Sequence, residues 1–385
     1  MRIKIISLLL FSTLISAKCV FAQTTIQSSI ISGGITREYR LYIPAMYNSS
    51  VPVPLVLNLH GYGSNNIEQE AYGDFRPIAD TANFIIVHPN GTFDASSNRF
   101  WNTFGGSTID DIGFLSALID TISANYNIDE NSIYSTGMSN GGFMSYDLAC
   151  WLNGRIAAIA SVTGTMVWPH KNSCSPFRPT PIMQIHGTAD ATVPYNGSMG
   201  FVPIDTLVRF WVQYNDCSFT PDITPVSDND NTDGCTAERH LFNDGEMGST
   251  VELYKIDDGG HSWPGASFNI DVTNMDFSAS IEIWRFFRKY KLNELTSIED
   301  HKFKAFAWSV YPNPCEDILN IETENSRLPK HITIYDMIGK KLPLLYNTGM
   351  KNNTLQINTK EWSRGVYLLS MEEGDKMYFQ KIFKK

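Results

Sequence analysis

The chain has 385 residues, 43% of them hydrophobic and 18% charged. This is globular composition, with length enough for two domains. A formal net charge of −10 excludes nucleic acid as a main partner, because phosphate binding needs clustered Lys and Arg.

At the N-terminus, Arg2 and Lys4 precede an apolar run from Ile5 to Ile15, and Val20-Phe21-Ala22 forms a small-residue cleavage signal before Gln23. Residues 1–22 therefore read as a secretory signal peptide, too short to span a bilayer. Lipidation at Cys19 is disfavoured, because Lys18 stands where a lipoprotein signal needs a small residue. No later segment is long and apolar enough to cross a membrane, so stable membrane insertion is not expected.

Between residues 23 and 292, short apolar runs alternate with helical patterns. PLVLNL (54–59), FIIV (84–87), Ser132 to Thr136, Ala157 to Val162, Pro181 to Ile185 and Val251 to Ile256 are bounded by Gly, Pro and Asn. Buried parallel strands have this character. Asp111 to Tyr126 carries apolar residues at helical spacing; Asn140 onward, Thr206 to Tyr214 and Ser278 to Tyr290 continue the pattern. The alternation predicts an α/β fold, a mainly parallel sheet flanked by helices. Residues 293–308 are polar and charged and read as a linker. From 309 to 385 short strands broken by turns (ILNIE, HITIYDMIGK, LQIN, GVYLLSM, MYFQKIF) predict a small all-β sandwich.

Loss of the leader leaves Cys150, Cys174, Cys217, Cys235 and Cys315. An exported chain can keep disulfides, and the first four of these allow three pairings. Cys150–Cys174 with Cys217–Cys235 closes the shortest loops and is the expected pattern, with Cys315 unpaired. No pair has the CxxC spacing of a zinc or redox site, and neither a metal nor a cofactor is expected. SDNDNTDG, taken from Asn229, places oxygens where a calcium loop needs them and Gly234 at the sixth position. Its twelfth position is His240 rather than Glu, so it reads as a solvated turn.

One constellation carries chemistry. Gly137-Met138-Ser139-Asn140-Gly141 is a GxSxG pattern. Alone it says little, because Gly and Ser are common loop residues. Here it lies between a predicted strand and a predicted helix, the context in which such a turn presents a serine nucleophile. Asp190 follows the strand ending at Ile185, and His261 follows the strand ending at Ile256. The chain order Ser139, Asp190, His261 is that of the α/β-hydrolases and of neither chymotrypsin-like nor subtilisin-like proteases. His261 would be the base and Asp190 its orienting acid. The oxyanion would be held by backbone N–H groups of Asn140 and of the turn His60-Gly61-Tyr62-Gly63. Tyr62 is the expected donor there, with Gly61 the alternative. His60 and His186 are expected to pack at strand ends and orient loops.

The stretches LVLNLHGYGSN, FIIVHPNGT, DDIGFLSALID, STGMSNGGFMS, HGTADATVPY and GGHSWPG, spanning about residues 36 to 290, resemble secreted esterases. These are the group that joins polyhydroxybutyrate depolymerases to the feruloyl and acetylxylan esterases of carbohydrate esterase family one. The resemblance implies an α/β-hydrolase fold with Ser139, Asp190 and His261 as its triad. It also matches Trp263, which would contact an acyl or sugar group, or else pack. SVYPNPCEDILNI, ITIYDMIGK and RGVYLLSM resemble the C-terminal sorting domain of type IX secretion. This implies Bacteroidetes-like export, with the secretion machinery as a partner, to the medium or the cell surface. The expected function is a secreted serine carboxylesterase acting on feruloyl or acetyl esters of plant cell-wall polysaccharide. The alternatives are a polyhydroxybutyrate-type depolymerase and, in another class, a surface binding protein with an inactive hydrolase fold.

Overall fold

The computed structural model describes residues 23–292, 308–323, 331–336, 341–342, 354–373 and 376–385. The signal-peptide reading and all but the last residue of the linker reading lie outside them. The chain divides into two compact units, Met1–Ile298 and Glu299–Lys385.

The larger unit begins with β1 (Thr24–Ser32) and β2 (Ile35–Ile43), a hairpin turned by Gly33-Gly34, both at positive φ. Then come β3 (Val53–Leu59), α1 (Asn66–Tyr72), α2 (Arg76–Ala82), β4 (Ile85–Pro89) and a short ribbon, β5 (Thr92–Phe93) with β6 (Arg99–Phe100). Next follow α3 (Asp111–Asn125), β7 (Ile128–Met138), α4 (Asn140–Trp151), β8 (Ala158–Val162), α5 (Trp168–Ser173), β9 (Ile182–Gly187) and α6 (Ile204–Tyr214). The unit closes with β10 (Asp222–Pro225), β11 (Thr236–Phe242), β12 (Val251–Asp257) and α7 (Ala279–Phe287).

These strands, apart from the ribbon, make one ten-stranded sheet in the order β1-β2-β4-β3-β7-β8-β9-β12-β11-β10. From β4 through β12 every pairing is parallel. The two strands at each edge pair antiparallel. The central strands are the apolar runs of the sequence. Alternate side chains along them enter opposite faces, as period two requires. Leu55, Leu57 and Leu59 join a core with Phe114 of α3, Leu148 of α4 and Trp211 of α6. Val56 joins the other, with Phe75, Ile283 and Phe287. Each fully buried side chain of this kind contributes about 1.5–3 kcal/mol relative to exposure.

The register decides where chemistry can occur. Leu59 of β3 lies opposite Gly137 of β7, Met138 opposite Val162 of β8, Val162 opposite Ile185 of β9, and Gly187 opposite Ile256 of β12. Five strands therefore end in line. The turns that follow four of them, at His60, Ser139, Asp190 and His261, emerge along one edge, the usual place for ligands in a parallel sheet.

Among its described residues, the smaller unit has two three-stranded sheets. One is β13 (Trp308–Tyr311), β14 (Ile318–Thr323) and β16 (Thr354–Asn358); the other is β15 (His331–Asp336), β17 (Gly365–Glu373) and β18 (Lys376–Lys384). Leu319, Ile321, Ile334, Ile357, Leu369 and Ile382 share its core. Cys315 is a free thiol buried among them.

Cys150 and Cys174 are bonded, tying α4 to the end of α5. Cys217 and Cys235 are free and buried, which corrects the expected Cys217–Cys235 bridge. The reason is the strand between them. Ser218, next to Cys217, bonds Asn243 just past the end of β11, whereas Cys235 immediately precedes its start. At roughly 3.3 Å per residue the length of β11 separates the thiols by about 20 Å, far beyond the roughly 7 Å Cα limit for a disulfide. A thiol titration of denatured, unreduced protein lacking residues 1–22 should therefore count three free thiols, Cys217, Cys235 and Cys315. A count of one would restore the second bridge.

Candidate active site

Ser139 sits between β7 and α4 at φ 53° and ψ −119°, a conformation that costs a non-glycine residue about 1–3 kcal/mol. Two close approaches enforce it. A Cβ on Gly137 would lie 2.6 Å from the Leu59 carbonyl oxygen, and one on Gly141 would lie 2.1 Å from the same atom. Only glycine lets the first turn of α4 press against the end of β3. The Ser139 N–H donates to Val162 O at 2.8 Å, and Ser139 O accepts from Phe143 N at 3.0 Å. The side chain is thus presented at the head of a helix.

Asp190 is buried and holds its neighbours through both carboxylate oxygens. Oδ1 accepts from the Thr192 and Val193 N–H groups at 2.9 and 2.8 Å. Oδ2 lies 2.7 Å from His261 Nδ1 and 3.4 Å from His186 Nε2. Burial alone would raise the Asp190 pKa, but the hydrogen bond from His261 and the neighbouring His186 and His261 rings carry it well below the ordinary carboxylate value. With the Nδ1 proton held by Asp190, the Nε2 lone pair of His261 is left to act as a base. The His261 N–H itself donates to Asp271 Oδ2 at 2.7 Å, so the histidine is fixed at backbone and ring. His186 stays on the protein side of Asp190. Its Nδ1 accepts from Gln184 Nε2 at 3.0 Å, and its Nε2 donates to Val193 O at 2.8 Å.

The Tyr62 and Asn140 N–H groups have no acceptor among the described residues. His60 sets the first of these. Its Nε2 accepts from Gly91 N at 2.9 Å, so its Nδ1 carries the proton and donates to Gly61 O at 2.7 Å. A trans peptide points its C=O and N–H in opposite directions. Anchoring Gly61 O therefore turns the Tyr62 N–H the other way. Burial keeps His60 neutral, with its pKa lowered to about 4, as this tautomer requires. Asn140 adds a side-chain clamp: Oδ1 accepts from Trp101 N at 2.6 Å, and Nδ2 donates to Trp101 O at 3.1 Å and Thr103 Oγ1 at 2.8 Å. The same loop is held from behind by Asp111, which accepts from Asn102 N at 2.8 Å and pairs with buried Arg37 at 2.6 Å.

A cavity of about 280 Å³ opens over these groups, with Ser139, His261, Tyr62, Tyr72, Phe268 and Ile270 in its wall. Trp263 is not in the wall, which corrects its expected place at the substrate. It is 1% exposed, packs edge-on to Phe75 and donates through Nε1 to Ser280 Oγ at 3.2 Å. It braces the turn beneath His261. Besides Tyr62, two aromatic residues reach the cavity, Tyr72 and Phe268, with ring centres 4.9 Å apart. Sequence reasoning missed both, together with Asp111 and Asp271. No motif marks these positions; the DDIGFLSALID stretch held Asp111 without revealing its ion pair. In the SDNDNTDG turn, Asp230 and Asp233 accept N–H groups of Thr232, Cys235 and Met275, and Asp276 from outside the turn accepts those of Asn229 and Asp230. No cluster able to hold a metal occurs among the described residues.

Residues 107–216 match the Phospholipase/Carboxylesterase family, and residues 309–385 match the Secretion system C-terminal sorting domain. An acetyl xylan esterase from Aspergillus awamori has a similar structure, with TM-score 0.50 and 12% identity over 62% of this chain and 94% of that one. The larger unit has the α/β-hydrolase fold. Similar in sequence are a bifunctional acetylxylan esterase/xylanase of Neocallimastix patriciarum, 31% identical over 44% of this chain, and a probable feruloyl esterase C of Aspergillus clavatus, 32% identical over 47%. The matched regions span 24% and 62% of those two proteins. The residues matching the sorting domain follow this unit in the chain.

The hydrogen-bonded Asp190 couples the stability of the larger unit to acid. Its folded pKa lies below the unfolded one, so its contribution is fully present above pH about 4 and is lost as pH falls through the folded value. Urea midpoints measured between pH about 4 and about 2 should fall more steeply for wild type than for Asp190→Asn. Parallel slopes would contradict the assigned bonds.

Proposed function

We propose that the protein is a secreted serine carboxylesterase that hydrolyses feruloyl or acetyl esters of plant cell-wall polysaccharide. The observation that carries this reading is the 2.7 Å bond from His261 Nδ1 to Asp190 Oδ2, in a cavity shared with Ser139 on its strained turn. The names of the sequence relatives, feruloyl and acetylxylan esterases, support the substrate class. The sorting domain supports export and an encounter with type IX secretion machinery.

In this reading His261 Nε2 takes the proton of Ser139 Oγ as that oxygen attacks the ester carbonyl. The tetrahedral oxyanion sits against the Tyr62 and Asn140 N–H groups, and losing one such donor costs about 3 kcal/mol in the barrier. The imidazolium is stabilised by Asp190 and returns its proton to the departing alcohol. Water, deprotonated by the same histidine, then attacks the acyl-enzyme and frees the acid with Ser139 restored. The cavity lies at the small end of ligand sites, about 300–1,000 Å³. It suits one acyl group, while a polymeric alcohol leaves over the open surface. A polyester depolymerase would use the same triad and an aliphatic acyl group. A binding protein with an inactive fold would have no use for an aligned base and acid.

Ser139→Ala should lower kcat on methyl ferulate by roughly 10⁴–10⁶-fold with unchanged circular dichroism. Asp190→Asn should lower it by roughly 10⁴-fold. A folded Ser139→Ala protein with wild-type turnover would eliminate the esterase reading.

A further inference from the structure

The catalytic groups leave one donor and one acceptor of the cavity unused. Tyr72 is 7% exposed, and its ring faces the cavity against Phe268. Its hydroxyl oxygen accepts the Trp263 N–H at 3.0 Å. Its own O–H proton has no acceptor among the described residues. Burial raises its pKa to about 12, so this proton stays in place throughout the working range. One helical turn earlier, Gln69 is 2% exposed and also lines the cavity. Asn58 Nδ2 donates to Gly73 O at 2.8 Å, so Asn58 Oδ1 is the acceptor for Gln69 Nε2, also at 2.8 Å. That fixes the amide orientation and leaves Gln69 Oε1 without a donor among the described residues. Ser64 and Glu68, by contrast, bond each other at 2.7 Å.

A polar group in a cavity wall loses its water when a ligand fills the cavity, and binding is weakened unless the ligand supplies a partner. Phe268, Ile270 and Met138 give the cavity apolar walls, so a hydroxyl entering it would find few other partners. We propose that Tyr72 O–H and Gln69 Oε1 together select an acyl group that carries a hydroxyl oxygen, which accepts from Tyr72 and donates to Gln69. This inference rests on the esterase reading and narrows it. A plain acetyl group would leave both positions unpaired, whereas a hydroxycinnamoyl or a hydroxyalkanoyl group would fill them.

The test compares methyl esters that differ by one hydroxyl: 4-hydroxycinnamate against cinnamate, and 3-hydroxybutyrate against butyrate. Full-length wild-type protein should favour the hydroxylated member of one pair by about tenfold in kcat/KM. Preference in the first pair identifies an aromatic acyl group, and in the second an aliphatic one. Tyr72→Phe should collapse that ratio toward one, whatever happens to the two rates separately. Equal losses on both members would mean that Tyr72 acts only through the Trp263 N–H, and would overturn the proposal. So would a wild-type ratio near one in both pairs, a result that needs no variant to fold. Failure of the esterase reading itself would look different, with no Ser139-dependent turnover on any of the four esters.

Discussion

The site depends on one close approach, the first turn of α4 against the Leu59 carbonyl at the end of β3. A Cβ at Gly141 would lie 2.1 Å from that oxygen and one at Gly137 2.6 Å from it. This packing joins two otherwise separate requirements. It bends the backbone at Ser139 into a strained turn, and it sets that turn beside His60-Gly61-Tyr62. The candidate nucleophile and both candidate oxyanion donors are thereby placed by backbone packing, which side-chain motion cannot undo.

Around this contact, buried polar groups hold the loops in single arrangements. His60 fixes one peptide through Gly61 O, Asn140 grips Trp101 and Thr103, and Asp111 with Arg37 holds Asn102. Asp190 is held by two backbone N–H groups and faces two histidines. In this low-dielectric setting, breaking one of these bonds exposes the other partner to the full desolvation cost; Arg37 Nε and Asn102 Oδ1 are buried without a partner among the described residues. Such networks favour one geometry over its neighbours. The cavity groups Tyr72 and Gln69 differ in keeping hydrogen-bonding capacity in reserve.

The central strands were legible because parallel strands buried on both faces must be apolar throughout. The positions of Ser139, Asp190 and His261 were legible because each follows such a strand. Trp263 was misplaced because adjacency to His261 in sequence says nothing about which side of the turn a ring takes. The Cys217–Cys235 pairing failed because short loop length ignores the strand that runs between the thiols. The edge strands escaped notice for another reason: β1 is largely polar and β10 wholly exposed, so neither carries a core signal. Helix α1 has seven residues, too few turns for a periodicity to emerge, and it holds both Gln69 and Tyr72. The residues that shape the cavity were therefore the least readable.

The central claim is that Ser139 is a nucleophile activated by His261. Rapid mixing with 4-nitrophenyl acetate, followed by acid quench and peptide mapping, tests it most directly. The account predicts a burst of about one equivalent of nitrophenol per active site, with the acetyl group on the peptide containing Ser139. Turnover without acetylation of Ser139, or an acetyl group mapped to another residue, would contradict it.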